Sequence, residues 1–246
     1  MKEYKTAEVA ASIGIHPNTV RFYEEWGLIA KPERKENGYR VFTDPHIRQI
    51  RLVRTAFQIE VLQNGLRKKI VEMVKTAARG DFDGAIRLTR DYLIQIQKER
   101  INAEEAIQIV RRVLSGDTHE IEFRMKRKEV SEYLGITMDS LRNWEMNGLL
   151  EIKRKQNGYR VYTGGDIQRL KIIRSLRCAN YSLEAILRML QQLSKNPNAD
   201  IRKALNSPKQ SEDIISVCDR LLVSLSKAEK NAHVMMGMLW EMKMGS

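Results

Sequence analysis

The chain has 246 residues, with 43 Lys and Arg against 31 Asp and Glu, a formal charge of +12 and a pI near 9.7. That length suits two domains of ordinary size, and the charge favours a polyanionic partner such as nucleic acid over an acidic protein surface. Two cysteines, Cys178 and Cys218, with no metal-ligand spacing exclude a disulfide framework and a structural zinc site; the absence of an apolar leader or a run of about 18 apolar residues points to a cytoplasmic chain that does not enter the membrane.

The positive charge is not evenly spread. Residues 1–75 carry 14 basic against 9 acidic side chains and residues 124–195 carry 15 against 7, while 76–123 and 196–246 are nearly neutral. The two basic blocks are copies of each other. At an offset of 121, YKTAEVAASIGIHPNTVRFYEEWGLI aligns with MKRKEVSEYLGITMDSLRNWEMNGLL at 9 identities in 26, and at an offset of 120 NGYRVFTDPHIRQIRLVRTAF aligns with NGYRVYTGGDIQRLKIIRSLR at 8 in 21. A period this long is a duplicated domain rather than a solenoid.

In the first copy Thr6 is a candidate cap for a short helix bearing Val9 and Ile13. Gly14-Ile15 makes a turn, and Pro17 suits the first position of a second helix ending near Trp26. In the second copy Thr137 is the expected N-cap of the corresponding helix, with Leu141 and Trp144 buried where the first copy has Val20 and Tyr23. Two short helices around a glycine turn form a helix-turn-helix unit. Asn37-Gly38 and Asn157-Gly158 then fit tight turns at positive φ, so each following basic stretch is predicted to be a two-stranded wing. Thr43 and Thr163 cap a third helix, with Ile47, Ile50 and Val53, or Ile167, Leu170 and Ile173, facing inward.

Heptads follow each unit. One seam runs Ile86, Thr89, Leu93, Ile96, Arg100, Ala103, Ile107, Val110, Leu114; the other runs Ile214, Cys218, Leu221, Leu225, Ala228, Ala232, Met235, Leu239, Met242. Equal lengths and a short link containing Gly116 make them antiparallel partners within one chain, in preference to a homodimer. Arg100 breaks an otherwise apolar seam and calls for a nearby acid. The predicted fold is therefore mainly α: winged helix-turn-helix domains at 1–75 and 124–195, each with a small β-hairpin wing, plus two long helices at 81–115 and 211–243 forming an antiparallel coiled coil.

The run T-V-R-F-Y-E-E-W-G-L-I-A-K-P-E-R-K-E-N-G-Y-R-V-F closely resembles the N-terminal signature of the MerR family of transcriptional regulators. S-L-R-N-W-E-M-N-G-L-L followed by N-G-Y-R-V-Y is similar, with Trp144 in place of the usual tyrosine and no proline matching Pro32. The resemblance implies double-stranded promoter DNA as partner, with RNA polymerase a further candidate. It also implies major-groove entry by Pro17, Asn18, Thr19, Arg21 and Phe22 in one copy and Met138, Asp139, Ser140, Arg142 and Asn143 in the other. Arg21, Tyr23, Tyr39 and Arg40, with Arg142, Tyr159 and Arg160, match the family's phosphate-contacting or positioning residues; guanidinium and phenol groups donate to phosphate oxygens, and Lys35 and Lys155 add charge. Packing of Tyr39 and Tyr159 onto the body, and solvation of Arg40 and Arg160, is the structural alternative; recurrence in both copies favours contact.

The two recognition helices differ at most base-facing positions, so an asymmetric operator is expected, with Asp139 suited to a cytosine amine and Asn18 or Asn143 to adenine. The family's promoter distortion is a further implication. An architectural or chromosome-organising DNA binder in the nucleoid is the alternative function. His16, His46, His119 and His233 are scattered and no phosphate loop or nucleophile-base set is legible, so no enzyme, metal or cofactor is expected. The effector is unidentified: the methionines around Trp240 read as core, and Cys218 as a small buried hydrophobe.

Overall fold

A computed structural model of the chain describes residues 2–58, 63–115, 124–152, 160–195 and 214–245. In chain order these hold α1 (Thr6–Ile13), α2 (Pro17–Glu25), β1 (Glu33–Arg34), β2 (Arg40–Val41), α3 (Asp44–Ala56), α4 (Leu66–Ala78) and α5 (Phe82–Leu114). Then come β3 (Arg124–Lys126), α6 (Arg127–Leu134), α7 (Met138–Met146), β4 (Val161–Thr163), α8 (Gly164–Cys178), α9 (Leu183–Lys195) and α10 (Ile214–Met244). The chain divides into two compact units, one of residues 1–97 with 224–246 and the other of residues 98–223. Each unit thus takes one winged helix-turn-helix and one part of each long helix.

In the first unit α1 and α2 are joined at Gly14, whose φ of 71° is a left-handed conformation that a Cβ would strain. Thr6 is not the cap of α1. It is the first helical residue, Lys5 is the N-cap, and the Lys5 N–H donates to the Glu8 carboxylate at 2.7 Å. The cap contact is thus made by an acid three residues on that accepts from the N-cap N–H, in place of a threonine side chain accepting from a first-turn N–H. Pro17 does open α2, capped by His16, whose Nδ1 accepts from the Asn18 N–H at 3.2 Å. β1 and β2 pair antiparallel, Glu33 with Val41 and Arg34 with Arg40, about a turn in which Gly38 has a φ of 80°. A backbone bridge from Tyr4 to Phe42 fastens the base of the wing.

The core of this unit gathers Val9, Val20, Phe42, Ile50, Val53, Ile70 and Met73, all buried. Tyr23 and Ile47, expected inside, are half-buried. Gln49 is a buried polar residue with both ends used: Oε1 accepts from the Ala30 N–H at 2.7 Å and Nε2 donates to the Ala77 carbonyl at 3.4 Å. It pins the loop after α2 and the end of α4 to α3, which meets the requirement that buried polar groups be paired. Lys243 on α10 meets Asp83 near the start of α5 at 2.6 Å, and Gln97 meets Glu229, so the two helical segments of this unit run antiparallel.

The second unit repeats the plan. Gly135, with a φ of 61°, joins α6 to α7, and the Thr137 side chain caps α7 by accepting from the Ser140 N–H at 3.0 Å. Thr163 caps α8 as predicted. Its sheet pairs β3 with β4, Met125 opposite Tyr162, which extends to three residues the place of the Tyr4–Phe42 bridge. The predicted Asn157-Gly158 turn, with Lys155 and Tyr159, lies outside the described residues. One apolar cluster holds Val130, Leu141, Trp144, Tyr162, Leu170 and Ile173 together with Ile107 and Val110 of α5 and Ile214, Val217 and Cys218 of α10.

The heptad seams behave as the periodicity requires. Every one of the nine α10 seam residues is buried, as are Ile86, Thr89, Ile96, Ala103, Ile107 and Val110 of α5, with Leu93, Arg100 and Leu114 half-buried. The fully buried ion pair at this level is made not by Arg100 but by its neighbour Glu99, which Arg174 of α8 meets. Burial pushes the Cys178 thiol up, with the nearby Glu99 carboxylate adding to the effect and Arg174 opposing it.

Candidate nucleic-acid interface

α2 presents its outer face through side chains that packing leaves unused. Val20 turns in, while Asn18, Arg21 and Phe22 are exposed and Pro17, Thr19 and Tyr23 partly so. The Arg21 guanidinium donates to Asn18 Oδ1 at 3.0 Å, one helical turn away, so two polar residues are oriented together before any ligand arrives. Phe22 and Trp26, 54% and 66% exposed, stack edge to face at 6.3 Å. An exposed aromatic pair on a helix is uncommon on a surface serving only solubility. Tyr39, 71% exposed at the wing turn, does not pack onto the body. Lys35 forms a surface pair with Glu3 at 2.9 Å.

Arg40 has a different position. Its Nε meets the carboxylate of Glu24, at the end of α2, and Arg34 reaches the same carboxylate at 3.6 Å. The Glu24 side chain is almost fully buried, so it joins the wing to the recognition helix. The second unit makes the same junction with more ligands: Glu145 at the end of α7 accepts from Arg160 at 3.2 Å, from Arg127 at 2.6 Å and from the Tyr162 hydroxyl. Burial, with help from this carboxylate and against Arg127, moves the Tyr162 phenol to about 12. Arg40 therefore serves first as a wing anchor, and Arg160 makes the same contact with the end of its recognition helix. Glu24 and Glu145 were missed in the sequence, although the repeat marks them: each is the residue after the helix aromatic Tyr23 or Trp144, and both copies carry it.

On α7 the outward set is Met138, Asp139, Arg142 and Asn143, with Leu141 and Trp144 turned into the core. The Asn147 amide donates to Asn143 Oδ1 at 2.9 Å, which fixes the orientation of the Asn143 side chain. Ser140 is partly buried and its hydroxyl shares a 2.8 Å hydrogen bond with Thr137, so it belongs to the helix cap as much as to the outer face. Both faces combine hydrogen-bonding side chains with guanidinium groups, the chemistry that reads base edges and holds phosphates. Among the described residues no group of three or more His, Cys, Asp or Glu side chains is placed to hold a metal ion, and no helix is long and apolar enough to cross a membrane.

Comparison with known proteins agrees with this geometry. The model of the MerR HTH family regulatory proteins matches twice, at residues 4–68 and 125–193. The chain is 43% identical over 53 residues to the HTH-type transcriptional regulator CueR of Salmonella typhi, an alignment covering 22% of this chain and 38% of that protein. It is 38% identical over 63 residues to the HTH-type transcriptional regulator ZntR of Escherichia coli, covering 25% and 45%. Against the mercuric resistance operon regulatory protein of Bacillus cereus it is 26% identical over 97 residues, covering 39% and 74%. The chain thus spans less than half the length of the CueR and ZntR proteins it matches, and no solved structure matches it. With both winged units matched, and more than half of its residues in them, the chain belongs to the MerR HTH family of regulatory proteins.

Proposed function

We propose that the chain is a sequence-specific DNA-binding transcription regulator in which a single polypeptide supplies both halves of the DNA-reading apparatus. The observation that carries this reading is the pairing of two unlike recognition helices in one duplicated chain, α2 with Pro17, Asn18, Thr19, Arg21 and Phe22 and α7 with Met138, Asp139, Ser140, Arg142 and Asn143. α5 and α10 pair within the chain, as Asp83 with Lys243 and Gln97 with Glu229 illustrate, and this supports a monomer that imitates a two-fold dimer.

On this reading the two half-sites differ in sequence and are spaced by about one helical turn, ~34 Å, or a multiple of it. Wings carrying Lys35, Tyr39, Lys155 and Tyr159, held at their bases by Arg40 and Arg160, lie along the flanking backbone, with Tyr23 of α2 as a further positioning residue. Bending or untwisting of the bound promoter, at a cost of order 1–6 kcal/mol, is offset by contacts on both sides, and RNA polymerase is the partner that such distortion serves. Selection of bound DNA from a random library, followed by footprinting, tests the proposal. An imperfect, asymmetric site is expected; a perfect palindrome protected equally on both halves overturns it. Sedimentation at micromolar protein tests the single-chain arrangement, which a stable species of twice the chain mass overturns.

A further inference from the structure

The residue that ends each recognition helix touches the side chain one turn before it. α2 exposes Asn18, Arg21, Phe22 and Glu25 together with its C-cap Trp26, and α7 exposes the five positions that correspond at an offset of 121. Steps of three and four keep these residues on one face, opposite the buried Val20 and Leu141. A guanidinium is common to both faces, Arg21 on one and Arg142 on the other. The pair that follows it differs in kind. In the first unit it is two rings, Phe22 and Trp26, edge to face at 6.3 Å. In the second it is two amides: Asn147 Nδ2 donates to Asn143 Oδ1 at 2.9 Å and to the Asn143 carbonyl at 2.7 Å.

The backbone does not impose this difference. Trp26 has a φ of −88° and a ψ of 2°, Asn147 a φ of −87° and a ψ of 12°, so either residue fits either cap. Side-chain chemistry alone separates the two surfaces. An exposed ring is covered favourably by an apolar group, and the apolar group on a base edge in the major groove is the thymine C5-methyl. An amide offers N–H donors and an oxygen with two lone pairs, one of which Asn147 takes on Asn143, and this suits the N7 and N6 edge of adenine.

We propose that Trp26 and Asn147 are positioning residues for Phe22 and Asn143, and that the two pairs read an A·T base pair through different groups: the rings pack on the thymine methyl, and the amides hold the adenine edge. This rests on α2 and α7 being the recognition helices. Both pairs then select A·T, so base analogues rather than a consensus sequence tell them apart.

The experiment selects bound DNA with the full chain and then measures binding to the selected site carrying single analogues. The half belonging to the first unit is the one whose footprint Arg21→Ala removes. Deoxyuridine for one thymine of that half removes only the methyl, and is expected to weaken binding about fourfold, what one buried apolar carbon contributes. 7-Deazaadenine in the other half removes N7, and is expected to weaken binding about tenfold. Phe22→Asn with Trp26→Asn should abolish the deoxyuridine effect and make the first half sensitive to 7-deazaadenine, with little change in melting temperature because both side chains are exposed. Trp26→Ala should also lose the deoxyuridine effect, and Trp26→Phe, which keeps a ring against Phe22, should retain it.

Failure of the wild-type chain to enrich any sequence overturns the recognition-helix reading and this inference together. Defined half-sites with no deoxyuridine effect at any position of the first half overturn this inference alone. So does a double variant that discriminates bases as the wild type does, which would assign the rings to a protein surface. Trp26→Ala with the effect intact removes the positioning role.

Discussion

Glu99 and Arg174 meet end-on, both terminal guanidinium nitrogens donating to the carboxylate oxygens at 2.7 Å, and neither residue is more than 5% exposed. A pair this deep stabilises little against well-packed apolar residues but is costly to break from one side. Glu99→Ala is expected to lower the unfolding free energy by about 3–5 kcal/mol, measured as a fall in the urea midpoint. The double change Glu99→Leu with Arg174→Met should recover most of that loss.

The Glu24 and Arg21 substitutions should separate anchoring from contact. Glu24→Ala strands Arg40 and is expected to cost about 1–3 kcal/mol of stability, with weaker operator binding because the wing loses its tie to α2. Arg21→Ala removes an exposed side chain and should leave the melting temperature unchanged. If Arg21 contacts a phosphate, the salt dependence of binding should fall by about one counterion, with footprint loss confined to one half of the site. Equal loss on both halves would count against separate roles for the two modules.

His46 gives the first unit a pH response. Its Nδ1 accepts from the Thr43 N–H at 3.1 Å, and burial holds its pKa below the ordinary 6.5, with Glu33 opposing. The folded state therefore binds fewer protons than the unfolded chain. This contribution to stability is fully present above pH ~6.5 and is lost as pH falls through the lower folded value. Thermal melts between about pH 5 and 7.5 should show the decline, and His46→Gln, which can still accept from Thr43, should flatten it.

Cys178 and Cys218 are buried and neither forms a disulfide, and the Cys178 thiol is pushed up, away from the thiolate form. Neither should react at an appreciable rate with an aromatic disulfide in the native protein, while both should react in denaturant. Rapid modification of either thiol in the native chain would show that this core opens.

The fold was legible where a period carried it. The repeat located both winged units, and heptads placed α5 and α10 because nothing but a buried seam keeps apolar residues at alternating three and four residue steps. Legibility failed where the deciding contact is distant in sequence or depends on a single acid. Glu99 and Arg174 are 75 positions apart with no pattern to link them. Lys5 rather than Thr6 caps α1 because Glu8 reaches back to it. Glu24 and Glu145 resemble any solvated helix acid until the wing arginines are seen to close over them. Much of the outer face was readable, because exposure at Asn18, Arg21 and Arg142 follows directly from the burial of Val20 and Leu141 on the opposite side.

The first unit is built from residues 1–97 and 224–246, and this has a consequence for biosynthesis. Domains commonly fold as their residues leave the ribosome, but here Asp83 and Gln97 must wait for Lys243 and Glu229, which are translated far later. The module made first is the one finished last, so during translation its apolar seam on α5 needs cover from something other than α10. A stop codon early in α10 would damage the first unit, although the lesion lies after the whole of the second winged unit.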